Sequence, residues 1–118
     1  MTRPDEATWL NRSAILITPK APYLAWANAF ADGPRYEDIF DHEAEPVFLG
    51  PETEYTVGEV LAFVDQNFDL FFEYSLDQWS TDPATWPANR TVALFHEWLE
   101  VRVSSMVIDT VQEPLRLE

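Results

Sequence analysis

Four carboxylates, Asp65, Asp69, Glu73 and Asp77, recur at intervals of four residues. On a helix that spacing lines them up as one stripe, each side chain beside the next. Like charges so placed cost roughly 0.2 to 0.5 kcal/mol per pair. Two readings follow: a solvated helix face, or a docking ridge for a basic partner. The run His96-Glu97-Trp98-Leu99-Glu100 bears on metal chemistry. A zinc-protease helix needs two histidines four residues apart with a glutamate beside the first, so that both imidazoles face one ion. Here Glu100 occupies the second position, so the run reads as one histidine among solvated acids.

Asp41-His42-Glu43 mixes hard and borderline ligands, yet adjacent residues do not converge on an ion without a dedicated loop. His42 and His96 are the only histidines, and Cys is absent, which excludes thiolate sites, disulfides and a cysteine nucleophile. Ser104 and Ser105 lack the flanking glycines of a nucleophile elbow. Three glycines in the whole chain supply no phosphate-cradling loop. The expectation is a protein without catalytic residues, cofactor or metal. One alternative uses the five tryptophans: an aromatic-lined pocket for a small molecule, built from Trp86, Arg90, His96, Trp98 and Arg102. Large aromatics also dominate core packing, and the tryptophans read equally as core and staple residues.

Charge narrows the partners further. The net charge is −14 over 118 residues, and no Lys or Arg occurs between Arg35 and Arg90. Such a field repels phosphate backbones and anionic lipid, so neither nucleic acid nor a membrane surface is expected as a partner. The longest apolar runs are far too short for a membrane span, and the first thirty residues carry no signal-peptide pattern. A cytosolic location fits these features and the missing cysteines. At 47% hydrophobic residues the chain has material for a core, and its length suits a single domain.

The elements that must position these residues follow from pattern. Residues 1–11 and 112–118 read as loose tails, with Trp9 and Leu10 against the body. Ala14-Ile15-Leu16-Ile17, bounded by Pro19, predicts a buried strand over 13–18. Pro22 opens a helix that Asp32-Gly33-Pro34 stops. The acidic segment 35–46 has no sustained period, although Tyr36, Ile39 and Phe40 suit one docked turn. Val47-Phe48-Leu49 between prolines is a brief strand.

Thr56-Val57-Gly58-Glu59 matches a capping box. It opens one long helix over 57–79, wound at about 100° per residue. That winding gathers Val57, Val60, Leu61, Val64, Phe68, Phe71, Phe72 and Trp79 into one sector, flanked by Phe63, Leu70 and Tyr74. Asp82 before Pro83 caps a short turn, and Asn89 caps a further helix ending near Trp98. From Leu99 the alternation Leu99, Val101, Val103 against Glu100, Arg102, Ser104 predicts a strand to about Thr110. A continuous helix over 91–107 is the competing reading.

The order is β-α-β-α-α-β: an α/β (α+β) two-layer fold with a three-stranded sheet and three main helices. Its free edges and open face suit pairing with a second copy.

Trp79, Trp86-Pro87, Asn89-Arg90-Thr91, Phe95, Glu97-Trp98, Ser105-Met106-Val107 and Asp109 resemble a family of small uncharacterised acidic bacterial proteins, as does Leu10-Asn11-Arg12-Ser13 near the start. The resemblance implies a bacterial cytosolic origin and carries no activity. Three functions therefore stand open: a binding module for a basic protein, a ligand-binding protein or small enzyme with an aromatic pocket, and a structural homo-oligomer.

Overall fold

The computed structural model describes residues 7–30, 46–52 and 56–117. The docked turn at Tyr36, Ile39 and Phe40 and the Asp41-His42-Glu43 cluster lie outside the described residues. Strand β1 (Thr8–Trp9) is followed by β2 (Ser13–Pro19), α1 (Ala21–Asn28), β3 (Val47–Gly50), α2 (Val57–Gln66), α3 (Phe68–Asp77), a 3-10 turn (Pro83–Thr85), α4 (Val92–Trp98), β4 (Leu99–Ser104) and β5 (Ile108–Asp109). The result is the expected two-layer α+β architecture, with one sheet in the order β3-β2-β4 and a second small sheet, β1-β5.

The apolar β2 is the central strand, antiparallel to both neighbours. Ile15 and Ile17 point from it into the core and are 0% and 4% exposed. They meet Val60, Val64, Phe72, Leu76, Phe95 and Leu99, all essentially buried. The opposite face of the sheet carries Leu16 between Val47 and Arg102, with Val47 and Leu49 exposed. The two sheets are segments of one ribbon. Leu10 N–H donates to Val107 O at 2.9 Å, and Thr8 and Trp9 pair with Asp109 and Ile108. Between that register and the β2–β4 register the N-terminal strand carries one extra residue, the count of a β-bulge. Within residues 1–11, then, Thr8 and Trp9 form a strand, in which Trp9 remains exposed.

Four local expectations change. The long helix is two, because Asn67 leaves helical geometry (φ −120°, ψ 27°). Its side-chain amide donates to Phe63 O at 2.9 Å, a carbonyl that its own backbone N–H also reaches at 3.1 Å while shared with Val64 O, so the side chain competes for the last ladder bond. Val57 and Leu61, assigned to the buried sector, are exposed, while Ser75 and Leu76 join it. Thr56 is the N-cap of α2 in extended conformation, but its side chain makes no capping hydrogen bond. The cap of α4 is Thr91, whose Oγ1 accepts from Leu94 N–H at 3.1 Å. Asn89 instead takes the left-handed conformation, φ 55°, which asparagine tolerates better than most side chains. Asp82 caps the turn at Pro83 as expected, accepting from Ala84 N–H at 3.0 Å. Leu99 begins a strand, which excludes the continuous helix over 91–107.

Candidate functional site

The carboxylate stripe survives the break at Asn67, and the residues just before and within α4 lie against it. Arg90 sits at its centre. Its Nε donates to Asp69 Oδ1 at 2.7 Å and its Nη2 to Asp69 Oδ2 at 3.3 Å and Glu73 Oε1 at 2.9 Å. Nη1 reaches Pro87 O at 3.2 Å, and the guanidinium carbon lies 5.8 Å from the Trp86 ring centroid. Planar, bidentate geometry of this kind is what a guanidinium does and an ammonium does not. The Arg90 pKa is raised, first by the hydrogen bond to Asp69 against the opposing effect of burial, then by the fields of Asp69 and Glu73. One turn along the stripe, His96 Nε2 and Asp65 Oδ1 are 2.7 Å apart, both half-exposed. Asp77, at the end of α3, is exposed.

Three of the four acids thus have a cation or histidine of this chain against them. The arrangement relieves repulsion within the stripe and clamps α3 to the segment entering α4. Lys20 adds a second tie, donating from Nζ to His96 O at 2.8 Å near the C-terminus of α4, where positive charge meets unsatisfied carbonyls.

The Arg90 clamp has a measurable consequence. Its side chain is 19% exposed while Asp69 and Glu73 are about half exposed, so solvent screens the pair and the contribution is modest. Arg90→Ala is expected to lower unfolding free energy by about 1 to 2 kcal/mol, because the substitution removes the bidentate bonds and the packing on the Trp86 ring together. Because the folded pKa is raised, the stabilisation is fully present below the unfolded value and is lost only as pH rises through the folded one, far into alkali. Urea denaturation of both proteins at about pH 6 and about pH 9 checks this: the difference in midpoint stability should be the same. Arg90→Lys should recover only part of it, since a single ammonium cannot span Asp69 and Glu73 in the same way.

The five residues expected around an aromatic pocket make different contacts. Trp86 and Arg90 are together. Trp98 belongs to a ring cluster on α1, at 6.0 Å from Trp26 and 6.4 Å from Tyr23, and reaches Phe72 at 5.9 Å. His96 faces Asp65, and Arg102 projects from the open face of the sheet, opposite Leu16 in register. The indole N–H groups act as staples. Trp26 donates to Thr85 O at 2.9 Å, Trp79 to Ala27 O at 2.9 Å and Trp86 to Ser80 O at 2.8 Å, fixing the connection between α3 and α4 against α1. Aromatic rings with a polar handle suit this use. Among the described residues no group of three or more His, Cys, Asp or Glu is placed to hold a metal ion. No helix among them is long and apolar enough to cross a membrane.

The four-residue spacing marks the stripe but not the partners that lie against it. The available signal was position: Arg90 is the first cation after the base-free interval. Compared with family models, curated proteins and solved structures, the chain matches none of them. The motif resemblance therefore carries no family assignment.

Proposed function

We propose that the protein is a non-catalytic, cytosolic binding module that engages a basic protein through its acidic helical layer. The observation that carries this reading is exposed acidic charge on a layer whose nearby cations are engaged internally. Arg90, Lys20 and His96 are engaged in internal contacts, whereas Asp77 and Glu97 stand exposed on the same layer and the net charge is −14. The acids at positions 69 and 73 are ordered by the clamp, so the layer presents charge on a fixed framework rather than on loose side chains. Surfaces of this kind raise association rates and make binding sensitive to salt. The same field disfavours nucleic acid and anionic membranes.

The test uses the full chain as bait. Basic proteins should be retained at low salt and released at about 0.5 M salt, where screening lengths fall to a few ångströms. The Asp77→Lys/Glu97→Lys variant should retain markedly less. Retention by the variant equal to that of the parent, or no salt-sensitive basic partner at all, rules the reading out.

A further inference from the structure

The two edges of the sheet differ. β3 is four residues long and lies between Pro46 and Pro51, a common way of blunting an edge. Among the described residues β4 has no such protection. It runs for six residues, with Leu99, Val101 and Val103 toward the helices and Glu100, Arg102 and Ser104 exposed on the open face.

Which backbone groups β4 offers follows from its ladder with β2. Lys20 N–H donates to Trp98 O at 2.8 Å, and the register places Thr18 opposite Glu100, Leu16 opposite Arg102 and Ala14 opposite Ser104. In an antiparallel pair, bonded and non-bonded pairs alternate, so Glu100, Arg102 and Ser104 direct their N–H and C=O to β2. Leu99, Val101 and Val103 point theirs outward. The Leu99 N–H is already given to Phe95 O at the end of α4, leaving the Leu99 carbonyl and both groups of Val101 and Val103 for the edge.

The sequence along this edge is symmetric in its apolar residues and opposite in charge about Val101. Around Val101, one step back is Glu100 and one step on is Arg102; two steps away on either side are Leu99 and Val103. We propose that the protein forms a homodimer in which β4 pairs antiparallel with β4 of a second copy about a two-fold axis at Val101, making one continuous six-stranded sheet. In that register Val101 exchanges both backbone bonds with Val101 of the partner subunit. Val103 N–H donates to the carbonyl of Leu99 of the partner subunit, and Val103 N–H of the partner subunit donates to the carbonyl of Leu99. Glu100 falls opposite Arg102 of the partner subunit in a non-bonded pair, the closer of the two kinds at about 4.5 Å between Cα atoms. The symmetry gives that ion pair twice. A two-fold axis at Glu100 or Arg102 sets like charge against like, and an axis at Leu99 or Val103 leaves both charges without each other. The apolar and charge pattern selects one register, as an isologous interface requires.

An interface of one strand edge is small, so association is weak and concentration-dependent. Sedimentation velocity of the full chain should show monomer giving way to dimer by about 100 µM. Glu100→Arg and Arg102→Glu each turn both cross-strand attractions into repulsions and should raise the dissociation constant about tenfold or more. The double exchange Glu100→Arg/Arg102→Glu rebuilds the symmetric pairing with the signs swapped and should restore the parent's dissociation constant. Circular dichroism on each variant separates loss of dimer from loss of fold, and either single variant suffices if the other misfolds. A parent that stays monomeric to about 1 mM, single reversals that leave the dimer unchanged, or a double exchange that fails to restore it overturns the proposal.

Discussion

Replacing Phe72 by Ala is expected to cost about 3 to 5 kcal/mol of unfolding free energy, the range for emptying a large aromatic site that cannot collapse. Phe72 is fully buried and stands where the layers meet. Its ring lies 5.7 Å from Phe95 and 5.9 Å from Trp98, both of α4, so removing it opens a void between α3 and α4. The neighbours are poorly placed to move in. Trp98 is held in the cluster with Trp26 and Tyr23, and Tyr23 is itself anchored by its hydroxyl donating to Ser75 O at 2.7 Å. Since domains of this size have total stabilities of roughly 5 to 15 kcal/mol, the variant should be largely unfolded at mild urea concentrations. Denaturation followed by tryptophan fluorescence measures it, and a loss below about 1 kcal/mol would show that the α3–α4 seam relaxes freely.

A second large effect is expected at Gly50, for a reason of space rather than conformation. A Cβ there would lie 2.6 Å from Ser13 Oγ and 2.8 Å from Ile15 Cδ1. Both neighbours are fully buried, and Ser13 Oγ donates to Pro51 O at 2.9 Å. Gly50→Ala therefore forces the hydroxyl off its acceptor and displaces Ile15 within the core. Overpacking and a buried unsatisfied hydroxyl each cost about 1 to 3 kcal/mol, so a loss of about 2 to 4 kcal/mol is expected. The Ser13→Ala background removes the offending oxygen. In a double-mutant cycle the second substitution should recover at least about 1 kcal/mol of the first, and strict additivity would place the strain elsewhere.

Neither site announces itself in the sequence, and the contrast shows what was legible. The end of β2 at Pro19 and the start of β4 at Leu99 were readable because a proline marks the first and a change from helical to alternating period the second. The break at Asn67 was not, because the buried residues before it, Val60 and Val64, and after it, Phe71 and Phe72, continue one helical phase across the gap. A single asparagine that bonds back to Phe63 O leaves no trace in periodicity. Likewise Asn89 and Thr91 are both capable N-caps two residues apart, and only the chain path decides that the first takes φ 55° and the second caps. The candidate surface was half legible. Four-residue spacing fixes the stripe, but the approach of Arg90 and His96 is a tertiary event across a connection whose tryptophan staples exist only once α1 is in place. The β1–β5 extension was hidden for a similar reason: two-residue strands beyond a bulge have no pattern of their own.

The path of the central ribbon also governs how the chain reaches this state. Helix turns and the packing of α3 on α4 join residues close in sequence and form early, on microsecond timescales. The strand at the middle of the sheet has no such local partner on its β4 side: Ala14 must find Ser104, with nearly the whole chain as the intervening loop. Closing that loop loses chain entropy before the ladder returns any stabilisation, so its closure sets the pace of folding. Until it closes, the apolar β2 has one side unsealed, an open strand edge with which another incompletely folded chain can pair.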